Sequence, residues 1–165
     1  CARTRGMDLG FQGIIEPQVD ENLCNACNLC VINCDDKALT MVNDLPVMDK
    51  NKCNYCGDCI KVCPIDAMVP ARKGWLVRVG GKHGKHPYFA YEIVQFATDE
   101  QCHALIGKTI LWYQANAVGR ERIGLTIERL GLSKFLDEVV KPLGLEVMVT
   151  PGERKRFWTA GNLYN

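Results

Sequence analysis

The sequence has almost no net charge, no long apolar run and no recognisable leader. Twenty Lys and Arg against nineteen Asp and Glu leave +1. Bulk electrostatics therefore argue against nucleic acid or an anionic membrane as partner. No stretch approaches the roughly 18 apolar residues of a membrane span. The 165 residues open on Cys1 with neither an initiator Met nor a secretory signal, and the expected location is cytoplasmic. A chain of this length can bury one sizeable core, or a core and a small satellite module. Its charge is uneven. Between Asp20 and Pro70 eight acids face four lysines, so this segment is negative and the remainder positive.

Cysteine is abundant, at ten residues. So many either staple a secreted domain or bind metal, and spacing separates the two. Cys24, Cys27, Cys30 and Cys34 in "CNACNLCVINC" follow C-x2-C-x2-C-x3-C, and so do Cys53, Cys56, Cys59 and Cys63 in "CNYCGDCIKVCP". The segments "CNACNLCVINCDDKAL" and "CNYCGDCIKVCPIDAM" align without a gap, which marks two similar half-modules. Disulfides do not demand two identical quartets, and zinc sites favour separated pairs. A cubane needs four inward thiolates, and the fourth cysteine of such a run ligates the other cluster. The assignment is therefore Cys24, Cys27, Cys30 and Cys63 for one [4Fe–4S] cluster, and Cys53, Cys56, Cys59 and Cys34 for the other. A [3Fe–4S] variant and zinc are the alternatives. One copy departs from the pattern, with "DDKA" after Cys34 where "PIDA" follows Cys63. The missing proline loosens the turn while the acids lower the cluster potential; alternatively, Asp35 starts a short helix.

Around this segment the pattern changes. "GWLVRVG" sets Trp75, Val77 and Val79 against Leu76 and Arg78, as a half-buried strand does. Thr98 with Gln101 forms a capping box, and Cys102, Leu105, Ile106, Ile110, Tyr113 and Ala117 mark one face of the helix that follows, ending near Gly119. "RERIGLTIERL" predicts a second helix ending at Gly131. Ser133 caps a third, "KFLDEVV", stopped by Pro142, and "LEVMV" predicts a last strand. Between the first strand and the helices, "GGKHGKHP" is open to two readings: a solvated basic turn, or glycines that let backbone approach a ligand while lysines meet carboxylates. His83 and His86 read as surface residues and Cys102 as core. The fold class is α+β.

Residues 20 to 70 resemble bacterial two-cluster ferredoxins, which implies a β-α-β-β-α-β electron-carrying module. Nearly the whole chain resembles the C-terminal part of the siroheme sulfite and nitrite reductases. The resemblance is closest to the branch with a ferredoxin inserted in the siroheme domain, as in the dissimilatory and anaerobic sulfite reductases. It rests on "CARTRGMDLGFQG", the ferredoxin, "VGGKHGKHP" and "RERIGLTIERLGLSKFLDEV". It implies residues 1–19 and 71–165 as a discontinuous, partial siroheme-reductase domain carrying residues 20–70 as the inserted ferredoxin. Cys1 matches the family's cysteine that bridges a further cluster to the siroheme iron, so the chain is expected to begin inside a longer protein. Lys82 and Lys85 are expected to face the siroheme carboxylates, although Tyr88 stands where relatives are expected to carry a basic residue. The implied role is to relay electrons from a donor protein through two clusters to a siroheme-linked cluster, where sulfite or nitrite is reduced; the fragment alone is expected to be inactive. No residue is assigned a catalytic role, and an oligomer is compatible with the sequence. A second reading is a non-catalytic, ferredoxin-like carrier or subunit whose acidic segment docks a basic partner.

Overall fold

A computed structural model describes residues 7–82 and 88–148. Five strands and five α-helices follow in the order β1 (Leu9–Val19), α1 (Leu29–Ile32), β2 (Leu39–Val42), β3 (Leu45–Met48), α2 (Asp58–Lys61), β4 (Met68–Val79), β5 (Tyr91–Ala97), α3 (Asp99–Asn116), α4 (Ile123–Leu130) and α5 (Leu132–Phe135). The chain is thus α+β. One sheet has the order β1-β4-β5, and β2-β3 form a separate hairpin. The chain divides into two compact units, residues 13–74 and the rest. The division falls inside β1 and β4, outside the bounds of 20 and 70 read from the cysteine runs, because both strands run on past the motifs.

In residues 13–74 the order β1-α1-β2-β3-α2-β4 places a short helix at the third cysteine of each C-x2-C-x2-C run. One small apolar cluster joins Leu39, Cys59 and Met68, with Val19, Val31, Met48 and Ile60 packed alongside, and Ile14, Ala38, Tyr55 and Ala67 are buried as well. The repeat seen in sequence recurs in the backbone. Asp20 and Asp49 each accept, through Oδ1, the N–H two residues on, from Asn22 and Asn51 at 3.0 Å. Asn25 and Asn54 do the same for the N–H groups of Cys27 and Cys56, at 3.3 and 3.0 Å. Such Asx turns fix a loop without regular structure. Left-handed residues also match in pairs: Ala26 with Tyr55, Asn28 with Gly57, and Lys37 with Asp66. At Gly57, with φ 77°, an added Cβ would lie 3.2 Å from Ile15 Cδ1, so glycine answers both backbone and space there.

The other unit places β4 and β5 against α3, α4 and α5. Val77, Val79, Ile93 and Val94 from the strands meet Leu105, Trp112, Ile127 and Phe135 in one core. The Trp112 and Phe135 rings meet edge to face at 5.0 Å, the arrangement their quadrupoles favour. Leu76 and Arg78 are buried along with Val77 and Val79, so β4 is not the half-buried strand its alternation predicts. It is the central strand of its sheet, and Arg78 enters the interior because Gln12 Oε1 at 2.6 Å and Glu92 Oε1 at 3.0 Å accept its donors.

Thr98 and Gln101 do form the capping box: Thr98 Oγ1 accepts Gln101 N–H at 3.3 Å, and Gln101 Oε1 accepts Thr98 N–H at 2.9 Å. The buried stripe of α3 runs through Cys102, Leu105, Thr109 and Trp112, whereas Ile110 is 51% exposed. The expected face is therefore rotated, since Trp112, with its indole N–H on Glu138 at 2.7 Å, takes the inward place. Gly131 caps α5, so Ser133 lies within the helix rather than before it, and a π turn over Leu136–Val140 continues the chain. Leu145 to Met148 form no strand; only Met148 N–H reaches the sheet, at Ile93 O.

Candidate metal centre

Nine cysteines lie among the described residues, all as free thiols. Eight of them line two cavities. Cys24, Cys27, Cys30 and Cys63 surround one of about 350 Å³, counted with its open mouth, together with Val19, Asn28, Met41, Pro46, Ile65 and Met68. Cys34, Cys53, Cys56 and Cys59 surround the other, of about 360 Å³, with Pro17, Asp36, Leu39, Met48 and Asp58. Each cavity takes three cysteines from one copy of the repeat and the fourth from the other. No three His, Cys, Asp or Glu among the described residues converge as tightly as a single metal ion requires. The four thiols of each set line one cavity, as ligands of a multi-iron group must.

Local structure explains the placement. Each C-x2-C-x2-C run is held by its Asx turns and a left-handed step at residue 26 or 55, and again at 28 or 57. This coils the loop so that all three thiols face inward. The fourth cysteine follows the short helix and enters a tight turn. Lys37 N–H reaches Cys34 O at 3.0 Å, which places Asp35 in a turn where Pro64 stands in the other copy. Asp35 therefore does not start a helix, and the turn closes without proline. Backbone amides also point at sulfur: Ala38 N–H lies 3.3 Å from Cys34 Sγ, and Tyr55 N–H 3.4 Å from Cys53 Sγ. Donors of this kind stabilise thiolate and tune a bound cluster.

The electrostatics are those of thiols held close and partly dry. Burial pushes Cys59 up to about 11, helped by Cys56 and Cys53. Burial also raises Cys30, with Cys27 and Cys24 adding repulsion, and raises Cys53 beside Cys34 and Asp36. Cys56 is raised by burial and by Asp58. Such sites do not hold bare thiolates at neutral pH; a cation that binds sulfur must displace protons.

Cys102 is buried in the helical core and belongs to neither cavity. Lys82 is half-buried and exchanges backbone hydrogen bonds with Tyr88 at 3.0 Å in both directions. Cys1, Lys85, His83 and His86 lie outside the described residues. Sequence reasoning missed Asn28 and Tyr55, because each fills a variable position of the motif; the signal for Asn28 was its substitution for the glycine of the other copy.

An α+β fold with two four-cysteine cavities is the framework of an iron–sulfur protein. The chain belongs to the nitrite and sulphite reductase 4Fe-4S domain family, whose profile matches residues 1–147. It is 33% identical over 149 residues to the coenzyme F420-dependent sulfite reductase of Methanocaldococcus jannaschii, covering 89% of this chain and 24% of that protein. It is 27% identical over 73 residues to the assimilatory-type sulfite reductase of Nitratidesulfovibrio vulgaris, covering 44% of this chain and 34% of that one. In fold it matches the crystal structure of dissimilatory sulfite reductase I with a TM-score of 0.54 at 18% identity, over 84% of this chain and 39% of that one. The chain spans between a quarter and a third of the length of these two curated relatives. Among the described residues no helix is long and apolar enough to cross a membrane.

Proposed function

We propose that residues 13–74 hold two [4Fe–4S] clusters, one on Cys24, Cys27, Cys30 and Cys63 and the other on Cys53, Cys56, Cys59 and Cys34. They would serve as the electron-transfer portion of a siroheme-dependent reductase of sulfite or nitrite. The observation that carries the reading is the interleaved lining of the two cavities, three cysteines from one repeat and one from the other. A cubane supplies one-electron storage at a potential set by its surroundings. The protein supplies the four thiolates, the amides aimed at Cys34 and Cys53, and an apolar wall that limits water. Residues 20–70 form the core of this inserted module, within a siroheme-reductase frame built from 1–19 and 71–165. Family membership supports the wider assignment: a donor protein delivers electrons, and the clusters pass them to a siroheme-linked centre. By the same family resemblance Cys1 would supply the bridging ligand of that centre, and Lys82 and Lys85 would meet the siroheme carboxylates.

The competing reading, a carrier without a catalytic centre, makes a different prediction. The test is siroheme extraction from the anaerobically purified full-length protein, followed by addition of sulfite to the reduced clusters. Siroheme together with sulfite-dependent reoxidation supports the reductase. Clusters that stay reduced in sulfite, in a protein free of siroheme, leave the carrier.

A further inference from the structure

The two cavities differ in their polar lining, and one difference lies at matching positions of the repeat. Asn28 and Gly57 occupy equivalent left-handed sites, φ 64° and 77°, just after the second cysteine of each run. Gly57 brings no side chain, whereas the Asn28 carboxamide lines the Cys24 cavity. Its Oδ1 is buried and has no hydrogen-bond partner, one of two such side-chain atoms among the described residues. Half a turn about the last side-chain bond exchanges the oxygen for the N–H2 group. In that orientation the group can donate, and sulfur of a bound cluster is the acceptor the protein itself does not supply. An unsatisfied buried amide is costly, so a residue kept in this state needs a partner.

The remaining linings pull in both directions: Ala38 and Tyr55 N–H reach Cys34 and Cys53 Sγ in the other cavity, while carboxylates stand only there. The wall of the Cys24 cavity holds no carboxylate; the wall of the Cys34–Cys53 cavity includes Asp36 and Asp58, and Asp58 alone is paired, with Lys61 at 2.7 Å. Hydrogen bonds to sulfur and reduced negative charge both raise a cluster's potential.

Resting on the two-cluster reading above, we propose that Asn28 donates to the cluster of the Cys24, Cys27, Cys30 and Cys63 site and raises the potential of that site, a contribution that Gly57 cannot make at the other. The half-modules are then not interchangeable despite their matching loops.

The test is a redox titration of the full-length protein followed by electron paramagnetic resonance, with the wave of this site identified from a Cys24→Ser variant. Asn28→Gly reproduces the residue of the other copy and relaxes the backbone, so a purely conformational role for Asn28 leaves both potentials in place. The proposal expects the wave of this site to move to lower potential while the other stays. Asn28→Asp, of the same shape with added charge, moves the same wave further down. Two waves indifferent to residue 28, or a shift confined to the Cys34–Cys53 wave, overturn the inference and leave the two-cluster reading standing. A wild-type protein without two cubane waves overturns both.

Discussion

Cys63 and Cys24 line the same cavity although they belong to different copies of the repeat. Cys34 stands in the same relation to Cys53. The exchange follows from chain geometry: each short helix carries the chain away from its own loop and delivers the fourth cysteine to the neighbouring one. The half-modules are consequently one cooperative object, and damage to one copy is read out in the other.

This gives the first prediction. Cys63→Ser should impair the cluster held by Cys24, Cys27 and Cys30, and Cys34→Ser the one held by Cys53, Cys56 and Cys59. Iron analysis with electron paramagnetic resonance of each variant checks it. Loss of the cluster within the mutated residue's own run would mean that ligation is local.

Iron removal should act unevenly. Residues 13–74 bury few large apolar side chains, chiefly Ile14, Leu39, Tyr55, Cys59 and Met68, while the other unit has a continuous core from Val77 to Leu145. A module with so little buried apolar surface depends on its metal groups for stability. On oxidative loss of iron, amide exchange in residues 13–74 should accelerate by orders of magnitude while the amides of Ile93, Leu105 and Phe135 stay protected. Uniform loss of protection would contradict this.

Arg78 is 6% exposed and is held by Glu92 and Gln12. Arg78→Ala removes these hydrogen bonds and the packing of the side chain and should destabilise the protein by about 3 kcal/mol, the low end for a broken buried pair because Glu92 is partly solvated. Arg78→Met keeps the packing and should cost less. Urea denaturation followed by helical circular dichroism measures both.

Glu121 ties the connection between α3 and α4. Its carboxylate accepts Arg129 at 2.6 Å and Val118 N–H at 2.8 Å. The Arg129 hydrogen bond, then that from Val118, holds its carboxyl below the ordinary value of 4.5. A depressed carboxylate contributes stability that is fully present above the ordinary value and is lost as pH falls through the native one. Protection of the Val118 amide, expressed relative to unstructured peptide, should therefore hold above about pH 4.5 and decline below it. In Glu121→Gln that decline should vanish, and a profile unchanged by the substitution would count against the link.

Much of this was legible in the sequence, and for physical reasons. The cysteine spacing groups three residues of one run with the fourth of the other, as the two cavities do, and the capping box at Thr98 and Gln101 is a local device that needs no tertiary information. What sequence alone misplaced depends on long-range packing. Ile110 turns outward because Trp112 claims the core and Glu138. Arg78 lies inside because Gln12 and Glu92, distant in sequence, receive it. The residues Leu145 to Met148 have strand-like composition, yet only one amide reaches the sheet, at Ile93. Asp35 looked like a helix start because acids favour first turns, but the fourth-cysteine turn claims it.

The central claim is that eight cysteines hold two cubanes, and the most direct measurement is iron and acid-labile sulfide on the anaerobically purified wild-type chain, with Mössbauer spectra of the iron. The account predicts about eight iron atoms and as many sulfides, all in [4Fe–4S] sites. Zinc in place of iron, or thiols paired in disulfides with no labile sulfide, would contradict it.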